Sequence, residues 1–132
     1  VPDLDADRLD ALRRDATTAP VMCVVGIRHL GGAMARPPQV PNAVGHRDAE
    51  YLVTVLSPVD SDPEAVTAVH RRLMAPWQPD AVGRPLNFSF GPLAAEQLRA
   101  GFEDGDGRRL AELRARFDPR QLLRPNHPVP TA

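Results

Sequence analysis

Leu4, Leu9 and Leu12 recur at helical spacing among aspartates, arginines and alanines, which predicts a first helix running to about Thr17 with Asp3 or Asp5 as its cap. The pattern then tightens. "APVMCVVGIRHLGGA" is β-branched and almost continuously apolar, so it reads as a strand from Val21 to about Leu30, too apolar for an exposed edge, which Gly31 and Gly32 break. "RDAEYLVTVLSPV" alternates instead. Tyr51, Val53 and Val55 fall on one face and Leu52, Thr54 and Leu56 on the other, making a second strand that Ser57-Pro58 ends. Residues 34–46 between them hold three prolines and no periodicity, hence a loop.

Asp62 as cap, Pro63 at the first helical position and Glu64 in the first turn mark a strong helix start. Val66, Val69, Leu73 and Trp77 follow as an apolar stripe, with His70, Arg71 and Arg72 off it. In "PLNFSFGP", Leu86, Phe88 and Phe90 alternate with Asn87 and Ser89, which predicts a third short strand. A short helix around Leu93 to Phe102 and a closing helix from Arg108 to Phe117 complete the set. Leu110, Leu113 and Phe117 form the seam of that closing helix. Glu112 and Arg116 are spaced as an i,i+4 pair, a solvated contact contributing ~0.3 kcal/mol. Asp118-Pro119 stops the helix, because proline lacks the donor and restricts its predecessor.

The order helix, strand, strand, helix, strand, helix, helix, with no crossover helix between the two long strands, predicts an antiparallel pairing. The expected fold is α+β, a small antiparallel sheet with helices packed on one face. At 132 residues one domain with a single core is expected.

Composition narrows the function classes. Basic and acidic residues number 16 and 17 and are spread along the chain, leaving a net charge of -1, so neither nucleic acid nor an anionic membrane is an expected partner. Every basic residue is arginine, a mark of codon bias more than of chemistry. The lone Cys23, inside "VMCVVGI", allows no intrachain disulfide and reads as a buried small hydrophobe. That run is too short to span a bilayer, and "VPDLDADRLD" lacks the pattern of a signal peptide, so the expected compartment is the cytoplasm. The chain begins with Val rather than Met, which suggests a piece processed or excised from something longer.

Candidate chemistry is sparse. Arg28 and His29 stand at a strand end beside two glycines that would let a ligand approach; a plain exposed turn fits the same residues. Asn87 points away from the phenylalanines of its expected strand, either into a cleft or simply outward. His29, His46, His70 and His127 have no metal-ligand spacing, and Asp104 and Asp106 lack the later ligands of a calcium loop, so no metal site is expected.

"RRLAELRARFDPRQLLRPNHPVP" resembles the C-terminal signature of berberine-bridge-enzyme-like FAD-linked oxidases of the vanillyl-alcohol-oxidase flavoprotein superfamily. The matching positions are Arg109, Leu110, Phe117, Asp118, Pro119, Leu123, Arg124, Asn126 and His127, with Gln121, Pro128 and Val129 departing from it. "VGIRHLGGAMAR" and "HRDAEYLVTVLSPV" look like two substrate-domain strands of that family. "PLNFSF" takes the place of its Tyr-x-Asn-Phe, with Pro85 where the family has the tyrosine that assists deprotonation. The resemblance implies that residues 1–107 are part of a substrate-binding domain. Residues 108–132 would then be a helix and tail that pack on an FAD-binding domain in the same or another chain.

It further implies FAD as cofactor, a small-molecule substrate, and Arg28, His29, Asn87, Asn126 and His127 as pocket or domain-contact residues, with no catalytic residue assigned. The tail is expected to run extended and poorly buried in this chain alone. A rival reading of the same residues is a stand-alone α+β module that binds a ligand or forms a homodimer through its sheet. A degenerate paralogue, suggested by Pro85, is a third.

Overall fold

A computed structural model describes residues 1–58 and 60–128. Val59, just past the Ser57-Pro58 end of the second expected strand, and Val129 at the end of the tail signature lie outside the described residues. The backbone divides into two compact units where a single core was expected: Val1–Ala35 with Asp48–Ala81, and Arg36–Arg47 with Val82–Ala132.

In the first unit, Asp5 and not Asp3 caps α1 (Ala6–Thr17). Its carboxylate accepts the Arg8 amide at 2.8 Å, whereas Asp3 reaches only the adjacent Leu4 amide. α2 (Pro63–Met74) starts where its sequence signals place it, with Asp62 accepting the Glu64 amide at 3.1 Å. Proline then changes the geometry. Pro76 and Pro79 cannot donate to an α-helical ladder, and the chain tightens into a 3-10 helix over Ala75–Asp80. Trp77 is carried on that 3-10 helix and still reaches the core, where it and Leu73 are each 2% exposed.

The sheet pairs β1 (Val24–His29) with β2 (Tyr51–Leu56), antiparallel, with Val25 opposite Val55 and Ile27 opposite Val53. β2 covers the alternating stretch that Ser57-Pro58 ends, whereas β1 is shorter than the expected Val21 to Leu30. Val25, Val53 and Val55 pack against the cluster of Leu12, Val69, Leu73 and Trp77, so the two helices of this unit cover one face of the sheet. Val1 extends the pairing by one residue on the other side of β2: its amine donates to the Tyr51 carbonyl at 2.9 Å and its carbonyl accepts the Tyr51 amide at 3.0 Å. Cys23 is half-buried against the same cluster, less enclosed than expected. Two polar contacts brace the helices. Arg8 pairs with Asp80, and Arg72 donates to the Asp15 carbonyl in the last turn of α1 at 3.2 Å, where the helix dipole favours a cation.

The second unit holds α3 (Ala95–Arg99), α4 (Asp104–Phe117) and a 3-10 helix over Leu86–Phe88. The expected third strand is therefore absent among the described residues. The Phe88 amide donates to the Pro85 carbonyl at 3.1 Å and the Ser89 amide to that of Leu86 at 3.2 Å, closing local turns that satisfy the backbone without a partner strand. α4 begins four residues before the expected Arg108, because Asp104 and Asp106 suit the positive end of a helix. Glu112 pairs with Arg109 at 3.1 Å instead of with Arg116, whose guanidinium lies over the Phe117 ring at 5.0 Å. The α+β class holds: four α-helices and a two-stranded antiparallel sheet among the described residues. None of the described helices is long and apolar enough to cross a membrane.

Two outcomes follow from the first unit. Leu73→Ala should lower stability by about 2–5 kcal/mol through a cavity at a closed site, while Met22→Ala, on an exposed side chain, should change it by less than about 0.5 kcal/mol. Urea midpoints at constant m distinguish them. The second outcome concerns His70, whose Nε2 lies 2.9 Å from Ser57 Oγ and whose pKa burial lowers. The unfolded chain binds that proton more readily, so stability should be complete above pH about 6.5 and decline as pH falls below it toward the folded-state value. Urea midpoints on either side of that pH should fall less in His70→Gln than in the native chain.

Candidate functional site

The five residues singled out by sequence separate between the units. Arg28 and His29 belong to the first. His29 is exposed at the end of β1, with Nε2 at 3.4 Å from the Glu50 carboxylate and its ring 5.3 Å from that of Tyr51. Gly31 makes room for that ring, since a Cβ there would lie 2.8 Å from His29 Cε1. The glycine thus serves the histidine's own packing.

Asn87, Asn126 and His127 belong to the second unit. Asn87 sits on the 3-10 helix with its side chain exposed, so the alternation that set it opposite the phenylalanines does not operate there. His127 is half-buried, and its Nε2 donates to the Ser89 carbonyl at 2.7 Å, which fixes the proton on Nε2 because a carbonyl only accepts. One bond therefore ties the tail to the "PLNFSF" stretch, two residues from Asn87. Asn126 beside it is exposed.

The start of the tail is organised by a residue whose role the sequence hid. Asp118, 8% exposed, turns its carboxylate inward: Oδ1 accepts the Leu122 amide at 2.7 Å and Oδ2 the Leu123 amide at 3.0 Å. The Asp118 carbonyl accepts the Gln121 amide at 3.0 Å, and Gln121 adopts a left-handed φ of 52° to close the turn. Arg114 Nη2 donates to the Leu123 carbonyl at 3.2 Å. Asp118 is thus a buried clamp as well as half of the helix stop. Residues 120–126 are exposed beyond it.

His46, set aside as a non-ligand, is the other organiser of this unit. Its Nε2 lies 3.0 Å from the Ala100 carbonyl and its amide donates to Glu103 Oε1 at 2.9 Å, at a φ of 56°. Gly83 admits the ring, because a Cβ there would stand 2.2 Å from it. Local sequence carries no sign of these partners, which lie 54 and 57 residues away.

Chemically, the second unit offers an exposed amide at Asn87, a half-buried imidazole at His127 and several apolar side chains left in solvent. Phe90 is 74% exposed, Phe117 71%, Leu122 66% and Leu123 73%. Among the described residues no three His, Cys, Asp or Glu side chains group as metal ligands.

Asp118→Ala should cost about 1.5–3 kcal/mol, the range for hydrogen bonds to a charged group, and should expose the Leu122 and Leu123 amides. Hydrogen exchange checks this residue by residue. Asp118→Asn, which keeps one acceptor, should fall between the two.

No family model matches this chain, nor does any curated protein or solved structure.

Proposed function

We propose that this chain is the substrate-domain and C-terminal portion of an FAD-dependent oxidoreductase, completed by a flavin-binding domain in the same or another chain. One observation supports the reading above the others. The two stretches that the resemblance assigns to the flavin side, "PLNFSF" and the tail, are held together by the His127–Ser89 bond. Exposed apolar residues flank both ends of that connection, Phe90 on one side and Leu122 and Leu123 on the other. Apolar side chains left in water beside an ordered turn favour a surface that another domain covers.

In this reading Asn87, Asn126 and His127 orient substrate or meet the partner domain, and the apolar side chains exclude water. Arg28 and His29 serve the substrate side. When bound, the flavin supplies the redox chemistry, taking hydride from a small-molecule substrate and being reoxidised, typically by oxygen. Pro85 leaves no phenol at the position that the resemblance associates with deprotonation, so the base belongs elsewhere. In the same reading the chain works in the cytoplasm, a compartment in which a lone thiol such as Cys23 stays reduced.

The test is to purify the polypeptide in the form in which its source cell carries it and measure flavin absorbance. Stoichiometric FAD is expected there, with Asn87→Ala and His127→Ala slowing flavin reduction by about tenfold or more. The 132-residue chain by itself should remain colourless. A natural form without flavin, or a yellow 132-residue chain, overturns the reading. Self-association is the second reading, favoured by Val24 and Ile27, which stay exposed on β1. A concentration-dependent dimer of the isolated chain that Ile27→Glu abolishes would favour it instead.

A further inference from the structure

Three side chains that the flavin reading leaves without a role meet in the first unit. Ser57 directly follows β2, His70 lies on α2, and Cys23 directly precedes β1. Ser57 Oγ is 2.9 Å from His70 Nε2 and 3.8 Å from Cys23 Sγ, which is itself 3.5 Å from the Val21 carbonyl. A carbonyl only accepts, so the thiol donates to Val21. Ser57 Oγ lies far closer to the histidine nitrogen than to the thiol, and in the tautomer with the ring's proton on Nδ1 that nitrogen accepts the Ser57 hydroxyl. Burial favours the neutral ring that such a bond needs.

A hydroxyl already hydrogen-bonded to a neutral imidazole has the geometry of a nucleophile and its base. We propose that Ser57 and His70 form a nucleophile–base pair that accepts the acyl group of an activated carboxylic ester. Ser57 Oγ bonds to the ester carbonyl carbon as its proton passes to His70 Nε2. The ester C–O bond then breaks, and the departing oxygen takes that proton, leaving the acyl group on Oγ. Water, deprotonated by His70 in turn, releases the carboxylic acid and restores the hydroxyl.

The surroundings define the substrate class. Among the described residues no carboxylate pairs with the His70 ring, the third group that supports the imidazolium in hydrolytic triads. The pair therefore suits esters with readily leaving phenolates, and not amides. Everything the proposal uses lies in the first unit, and none of it carries the flavin reading. The two stand or fall separately.

The experiment treats the folded 132-residue chain with p-nitrophenyl acetate and, separately, with a fluorophosphonate, and locates the adduct by peptide mass spectrometry. The expected result with the fluorophosphonate is one adduct, on Ser57, and with the ester an acyl group on Ser57; Ser89, whose hydroxyl donates to a carbonyl, stays unlabelled. His70→Gln, its fold checked by circular dichroism, should slow labelling about a hundredfold. The native chain unfolded in urea provides a second measurement that needs no variant, and there Ser57 labelling should disappear. Absence of label at Ser57, equal labelling in folded His70→Gln, or equal labelling in urea overturns the proposal.

Discussion

A sheet of two strands cannot hide its own apolar face, and a hairpin of that size is marginal in water unless something covers it. In the first unit that constraint organises everything else. Val25, Val53 and Val55 present the face, and Leu12, Val69, Leu73 and Trp77 close over it from the helical side. The caps at Asp5 and Asp62 set where each helix begins, and hence which residues its stripe delivers to the cluster. Trp77 shows how strong the requirement is: prolines end the α-helix before it, yet a tighter 3-10 helix still turns the indole inward. Its Nε1 is buried without a hydrogen-bond partner among the described residues, a cost that the burial of so large a ring offsets.

The second unit rests on a different balance. Leu98, 8% exposed, is its one buried apolar side chain among the described residues, so polar fastenings take over much of the ordering. His46 bonds the Ala100 carbonyl and Glu103; Asp118 holds the Leu122 and Leu123 amides; His127 holds the Ser89 carbonyl. Hydrogen bonds of this kind specify geometry well but contribute only about 0.5–1.5 kcal/mol net each, rather more when charged. A unit built this way keeps apolar side chains at its surface, which is the physical content of the proposal that a further domain covers it.

Polar groups in both units are placed by the ends of elements. Ser57 follows a strand directly, His127 lies in the tail beyond a helix stop, and His29 ends β1. Chain ends of this kind can set a side chain against a neighbour without breaking a backbone ladder, since the ladder has already finished. The proposed nucleophile–base pair and the proposed flavin wall both arise in this way, from separate parts of the molecule.

Sequence by itself determined what is local. The helix start at Asp62, the apolar stripes of α1 and α2, and the stop at Asp118-Pro119 rest on contacts within a few residues, and the missing crossover between the two strands made their pairing antiparallel. Where a local pattern was short, it misled: three alternating apolar residues over Leu86–Phe90 read as a strand, but turns closed on Pro85 and Leu86 satisfied the same backbone groups first. Tertiary structure alone decided the division into two units, the inward turn of the Asp118 carboxylate, and the pairing of His46 with Ala100 and of Ser57 with His70. The Ser57 and His46 partners lie 13 and 54 residues away. Their meeting depends on how whole elements pack, which no spacing of residue types along one chain encodes.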